Sequence, residues 1–269
     1  MKKMKKILMA GSMFALVNVN AQAAQTAYEE SLTSGIPCEE PKDCAEMGYT
    51  ANAADCIGPA LKCPWDLTKA MCEDEAPNLI VYGDGTVTKK ILAGKTPVGV
   101  VLHEDKRIAI ALTNIKEDGT PGIVSFKFSS INANTPLEDC ASGKLETCGT
   151  DGRANTDILL KQTSGTYYAA QAANKYEPAG CTAAFCKKGK WFLGSFAEMH
   201  ISYSTDTDNL RKTLYMLRKK GAEVVGDEYW TSTETASSAS NIWGMEFGAS
   251  ANIGHGKTDD YYVRPVVKY

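Results

Sequence analysis

Between Glu228 and Tyr269 the chain alternates large apolar side chains with small or polar ones. Trp243, Met245 and Phe247 interleave with Ile242, Gly244, Glu246 and Gly248, and Tyr261, Val263 and Pro265 repeat the pattern further on. A two-residue period puts one set of side chains on one face, so both stretches read as half-buried strands. The Gly- and Asn-rich segment between them reads as a turn. Upstream, Leu79–Tyr82 leads into a tight turn at Gly83–Thr86. Pro97–Leu102 and Arg107–Leu112 then form an antiparallel hairpin, and Val124–Phe128 is a weaker strand. The terminal strands are expected to return to this hairpin.

Helical signals fill the middle. Asn155–Tyr176 carries an alanine-rich run, Tyr167–Ala173, after a break at Ser164-Gly165, and ends at Pro178 and Gly180. Ser195 and Glu198 have the spacing of a capping box, which makes Ser195 a helix cap rather than a nucleophile. Leu210, Leu214 and Leu217 mark a further helix, closed by Arg218-Lys219-Lys220-Gly221.

The start of the chain reads as an address. Lys2, Lys3, Lys5 and Lys6 precede an apolar run from Ile7 to Val19 and a small-residue Ala21-Gln22-Ala23 site, the pattern of a bacterial export signal over residues 1–23. The run is shorter than the roughly 20 apolar residues of a membrane span, so no span is expected after cleavage. Loss of those four lysines takes the formal charge from −3 to −7, which argues against a nucleic-acid binder. The expected location is periplasm, cell surface or medium.

All nine cysteines follow the signal: Cys38, Cys44, Cys56, Cys63 and Cys72 in a cluster, then Cys140, Cys148, Cys181 and Cys186. In an exported chain these read as disulfide partners, with connectivity open. No pair has the close spacing of a zinc site and no histidine lies nearby, so no metal and no cofactor is expected. Nine is odd, which leaves one thiol for another chain. Residues 24–78 are rich in proline and poor in aliphatic side chains, a module held by disulfides rather than by a core. It either docks to a partner or packs on the main domain, residues 79–269.

The order of strand pair, two helices and terminal strands resembles the C-type-lectin-like fold, in its bacterial branch. That branch includes formylglycine-generating-enzyme-like domains, C-terminal domains of collagen-like adhesins and variable proteins of diversity-generating retroelements. The residues that carry the resemblance are Asp84-Gly85-Thr86, Lys95–Val101, Gly152 with Asn155-Thr156, Ala169–Tyr176, Trp191–Ser195 with Glu198-Met199, Tyr229–Glu234, Trp243 with Phe247, and Val263–Val266. Gly194 departs from the branch, which usually carries proline there.

The resemblance implies an α+β fold and binding more than catalysis, because one scaffold hosts many functions. An enzyme of the formylglycine type would need cysteines late in the domain, and none follows Cys186. Calcium-dependent sugar binding would need a Glu-Pro-Asn loop, where this chain has Glu177-Pro178-Ala179. Trp191, Trp230 and Trp243 are expected in the core. The binding candidates are Asn241, Glu246, Asn252, His255, Lys257 and Asp259, polar residues on or between the terminal strands without an evident packing role. The expected activity is calcium-independent, adhesin-like recognition of a glycan or protein on a cell or matrix surface. The competing readings are a disulfide-linked structural subunit, a formylglycine-type enzyme, and a retroelement-diversified receptor.

Overall fold

The computed structural model describes residues 75–201, 205–225, 228–247 and 253–269. The segment expected to be an export signal, residues 1–23, and Cys38, Cys44, Cys56, Cys63, Cys72 and Asn252 lie outside the described residues. In chain order the elements begin with strands β1 (Glu75–Tyr82), β2 (Val87–Lys90), β3 (Pro97–His103), β4 (Ile108–Ala111), β5 (Phe126–Lys127) and β6 (Asp139–Cys140). Helices α1 (Gly152–Leu160), α2 (Tyr168–Lys175), α3 (Phe196–Met199) and α4 (Thr205–Met216) follow. Strands β7 (Glu228–Thr235), β8 (Asn241–Glu246), β9 (Gly254–Gly256), β10 (Asp260–Tyr261) and β11 (Val266–Lys268) complete the α+β arrangement.

The main antiparallel sheet has the order β11-β4-β3-β1-β2 and is buried on both faces. Along β4 the period of two divides the core. Ile108 and Ile110 join one apolar cluster with Leu210, Leu214 and Tyr215 of α4. Ala109 and Ala111 join the other, with Ala169, Ala170, Ala172 and Ala173 of α2. Alanine on the buried side of α2 lets that helix lie close to its neighbours and favours helix at the same time. A second sheet, β6-β7-β8-β9, is antiparallel apart from the parallel β6–β7 pair, and β10 pairs with β5.

The terminal strands therefore divide between sheets. β11 does return to the first hairpin, with Val266 opposite Ile110, but β7 and β8 build the second sheet. The sequence boundary at Leu79 falls inside β1, which starts four residues earlier, and β2 was not foreseen. The helical stretch from Asn155 splits at the Ser-Gly break into α1 and α2.

Two disulfides, Cys140–Cys148 and Cys181–Cys186, staple local loops. The second docks its loop on the turn after β1, where the Gly83 carbonyl accepts from Thr182 and Ala183 amides at 2.8 Å each. A Cβ on Gly83 would sit 2.0 Å from the Gly180 oxygen, so only glycine allows that approach. Ser195 caps α3 in a full capping box. The Glu198 carboxylate accepts from the Gly152 amide at 2.9 Å and the Ser195 amide at 3.0 Å, joining the starts of α1 and α3. At Gly194 a Cβ would come within 2.7 Å of Met199, so a proline there would displace that side chain.

Candidate functional site

Two polar clusters sit on the terminal strands: an outward cluster that reaches solvent through Glu228, Glu246 and Asp259 although its His255 is buried at 9% exposure, and an inward one that is wholly interior. The outward cluster begins with register: Glu228 of β7 lies opposite Glu246 of β8, so both carboxylates occupy one face of the sheet. His255 of β9 lies opposite Ile242, two residues along from Gly244 on that same face. Its imidazole Nε2 is 2.8 Å from Glu228 Oε1. Gly244 makes room for the ring, since a Cβ there would meet His255 at 2.6 Å. Tyr261 tilts against His255 with ring centroids 4.1 Å apart and meets Trp230 edge-on at 4.9 Å. Burial and the charges of Glu228 and Asp259 raise the Tyr261 phenol above its ordinary value. Tyr261 and Tyr262 are half-buried and Asp259 is exposed.

The inward cluster is ionic. Lys257 and Glu234 are fully buried. The Lys257 ammonium contacts Glu234 Oε1 and donates to the carbonyls of Ala133 and Ala239, each at 2.7 Å. Its three protons thus have three acceptors. Thr135 donates to the other oxygen of Glu234. Burial pushes the Glu234 carboxyl up and the Lys257 ammonium down, and the contact between them opposes both shifts. This pair ties the loop before β6, the end of β7 and the turn after β9 together. It is a bracket rather than a site open to ligand.

On another part of the surface, Arg153, Asn174, Lys190, Phe192 and Lys268 line a groove of about 680 Å³ that also includes Phe185. Arg153 is held there by Asp157 and by the carbonyls of Gly189 and Trp191 at 3.2 Å each. Its guanidinium lies 5.9 Å from the centre of the Phe192 ring.

The sequence candidates separate accordingly. His255 and Asp259 belong to the outward cluster, and Glu246 shares its face. Asn241 lies opposite Gly256, one position out of phase with Ile242 and His255, and so on the other side of the sheet. Asn252 is not among the described residues. For Lys257 and His255 the premise of no packing role is corrected: Lys257 is in the interior with every donor used, and His255 is buried against Trp230 and Tyr261. Glu228 and Tyr261, which contact His255, were not among the sequence candidates, although each lies within two positions of an aromatic residue in the alternating pattern. The tryptophans are core as expected, with Trp191 and Trp230 at 0% and Trp243 at 7% exposure.

No protein-family model matches the chain, and no curated protein matches it. Among solved structures it is similar to a fimbrial protein from Bacteroides ovatus, at 13% sequence identity and a TM-score of 0.48, over 71% of this chain and 48% of that one. The chain spans about half the length of that protein, and likeness at this level assigns no function.

Proposed function

We propose that this chain is an exported bacterial binding protein with a C-type-lectin-like domain, acting without turnover and without calcium. Its ligand face is the outward cluster of Glu228, Glu246, His255, Asp259 and Tyr261. The observation that carries the reading is the convergence of carboxylates and a half-buried tyrosine around His255, with no structural task comparable to that of the Lys257–Glu234 pair. Residues 223–269 hold seven carboxylates and three cations, of which Glu234, Lys257 and Arg264 are buried, leaving six carboxylates against Lys268. The face is therefore acidic and suits a neutral glycan or a basic protein patch rather than a sulfated polysaccharide. Aromatic edges with carboxylate acceptors match the alternating apolar faces and hydroxyls of a neutral sugar. Export is supported by the two disulfides, which persist in oxidising compartments.

The test is a screen of the oxidised mature chain, from Ala24, against arrayed neutral and acidic glycans and matrix proteins, with and without chelator. A chelator-insensitive hit lost on Glu228→Gln with Tyr261→Ala supports the reading. Binding untouched by that double change removes the proposed face.

A second reading is favoured by cysteine arithmetic. The described disulfides use four of nine cysteines, leaving five in residues 38–72. An odd number cannot pair entirely within one chain, so a structural subunit joined to a neighbour through that cluster is the competing role. A disulfide-linked oligomer on a non-reducing gel, without any ligand from the screen, would favour it.

A further inference from the structure

Formal charge is divided unevenly along the chain. Residues 75–269 hold twenty-two acidic and twenty-two basic side chains, whereas residues 24–74 hold ten carboxylates against three lysines. All of the net negative charge expected after export thus sits in the cysteine-rich segment. The groove beside α1 and α2 is complementary to it: Arg153, Lys190 and Lys268 face one lining carboxylate, Asp157, and Phe185 and Phe192 supply apolar surface. Arg153 is engaged by its own neighbours. Lys190 and Lys268 are exposed, and their ammonium groups make no hydrogen bond or ion pair among the described residues.

We propose that the acidic segment 24–74 docks in this groove of its own chain, with its carboxylates on Lys190 and Lys268. The topology makes the reach short. β1 starts at the end of the sheet where β3 and β4 carry His103 and Ile108, and Ile108 pairs with Lys268. In the order β11-β4-β3-β1, Lys268 is three strand spacings from the start of β1, about 14 Å at about 4.8 Å per spacing. Five extended residues cover about 16 Å, so carboxylates five or more positions before Glu75, such as Asp66, have access to Lys268. Tethering supplies an effective concentration on the order of millimolar, which turns weak ionic contacts into occupancy. The acidic terminal-strand face repels the same segment, so charge selects the groove between these two surfaces. The proposal does not depend on what that face binds.

The test uses the full mature, oxidised chain. A carbodiimide reagent condenses lysine amines with touching carboxylates, and peptide mapping locates the new amides. Lys190 and Lys268 should link to carboxylates within residues 24–74, with yields falling several-fold from about 0.05 M to about 0.5 M salt as screening grows. Charge reversal at Lys190→Glu with Lys268→Glu should make the segment several-fold more sensitive to protease while leaving the melting temperature of the domain within a few degrees. Reversal at Lys89→Glu with Lys90→Glu, on the β2 edge, should leave protease sensitivity unchanged. Links confined to Lys89, Lys90 or Lys219, links between two chains, or a segment equally sensitive in all three proteins would overturn the proposal.

Discussion

The two polar clusters of the terminal strands contain similar groups and perform opposite tasks. Glu234 and Lys257 meet in the interior, where each charge is matched and hydrogen-bonded, and the pair holds three loop segments in place. Glu228 and His255 also meet, yet Glu228 keeps about a quarter of its side-chain surface in solvent. Burial makes the first pair indispensable as a pair. Partial exposure at Glu228 is what the proposed function uses, with that carboxylate exchanging its bond to His255 for one to a ligand. Chemical type therefore says less about function in this segment than the direction each side chain takes.

The largest effect should come from breaking the inner pair. Lys257→Met alone leaves the Glu234 charge buried without its counterion and should cost about 3–5 kcal/mol, read as a fall in the denaturation midpoint. Adding Glu234→Leu removes the orphaned charge and should restore much of that loss. A single change costing no more than a surface substitution would place the pair in solvent and dissolve the distinction. For the outer cluster, Glu228→Gln leaves a neutral acceptor beside the buried His255 ring and should cost about 0.5–1.5 kcal/mol, the range of one hydrogen bond, while weakening ligand binding.

Glu198 extends the comparison to a buried carboxylate that, among the described residues, forms no ion pair and meets only the more distant charge of Lys268. Burial raises its pKa, and hydrogen bonds from Ser195 and Gly152 partly oppose the shift. A carboxyl whose folded pKa lies above its unfolded value contributes stability that is fully present below the ordinary value of 4.5 and is lost as pH rises through the folded value. Wild type should show this decline in melting temperature above about pH 4.5. Glu198→Gln keeps a neutral acceptor and should flatten it.

The smallest effect should come from Asp84, which is exposed. Its bond with Lys95 and hydrogen bonds from Thr86 lower its pKa to about 2. The depressed value means that its contribution is present above the ordinary carboxylate range and is lost as pH falls toward about 2. Lys95→Met should move the Asp84 titration, followed by carboxyl NMR, upward toward 3.8, with stability at neutral pH almost unchanged.

The elements were largely legible where a local rule fixes them. The Ser195–Glu198 spacing gave the capping box, Gly221 closes its turn in the left-handed region at φ 88°, and Trp243, Met245 and Phe247 all point into the core. The inner pair was not legible, because Glu234 lies beyond a bulge in β7 that shifts its partner on β8. Register runs from Trp230 opposite Gly244 to Glu234 opposite Ile242, so four steps on one strand match two on the other. A two-residue alternation cannot anticipate that slip, and nothing in the Gly-Lys-Thr turn announces that Lys257 points inward. The outer cluster was half legible. His255 and Asp259 stand out as polar loop residues, whereas Glu228 and Tyr261 gain their roles only when β7, β9 and β10 come together.

The division between the clusters is tested most directly by measuring ligand binding and thermal stability on one variant, Glu228→Gln with Tyr261→Ala, using a ligand found in the glycan and protein screen. The account predicts a melting temperature within a few degrees of wild type and at least a tenfold loss of affinity. Unchanged affinity at unchanged stability would contradict it and move the binding face away from the terminal strands.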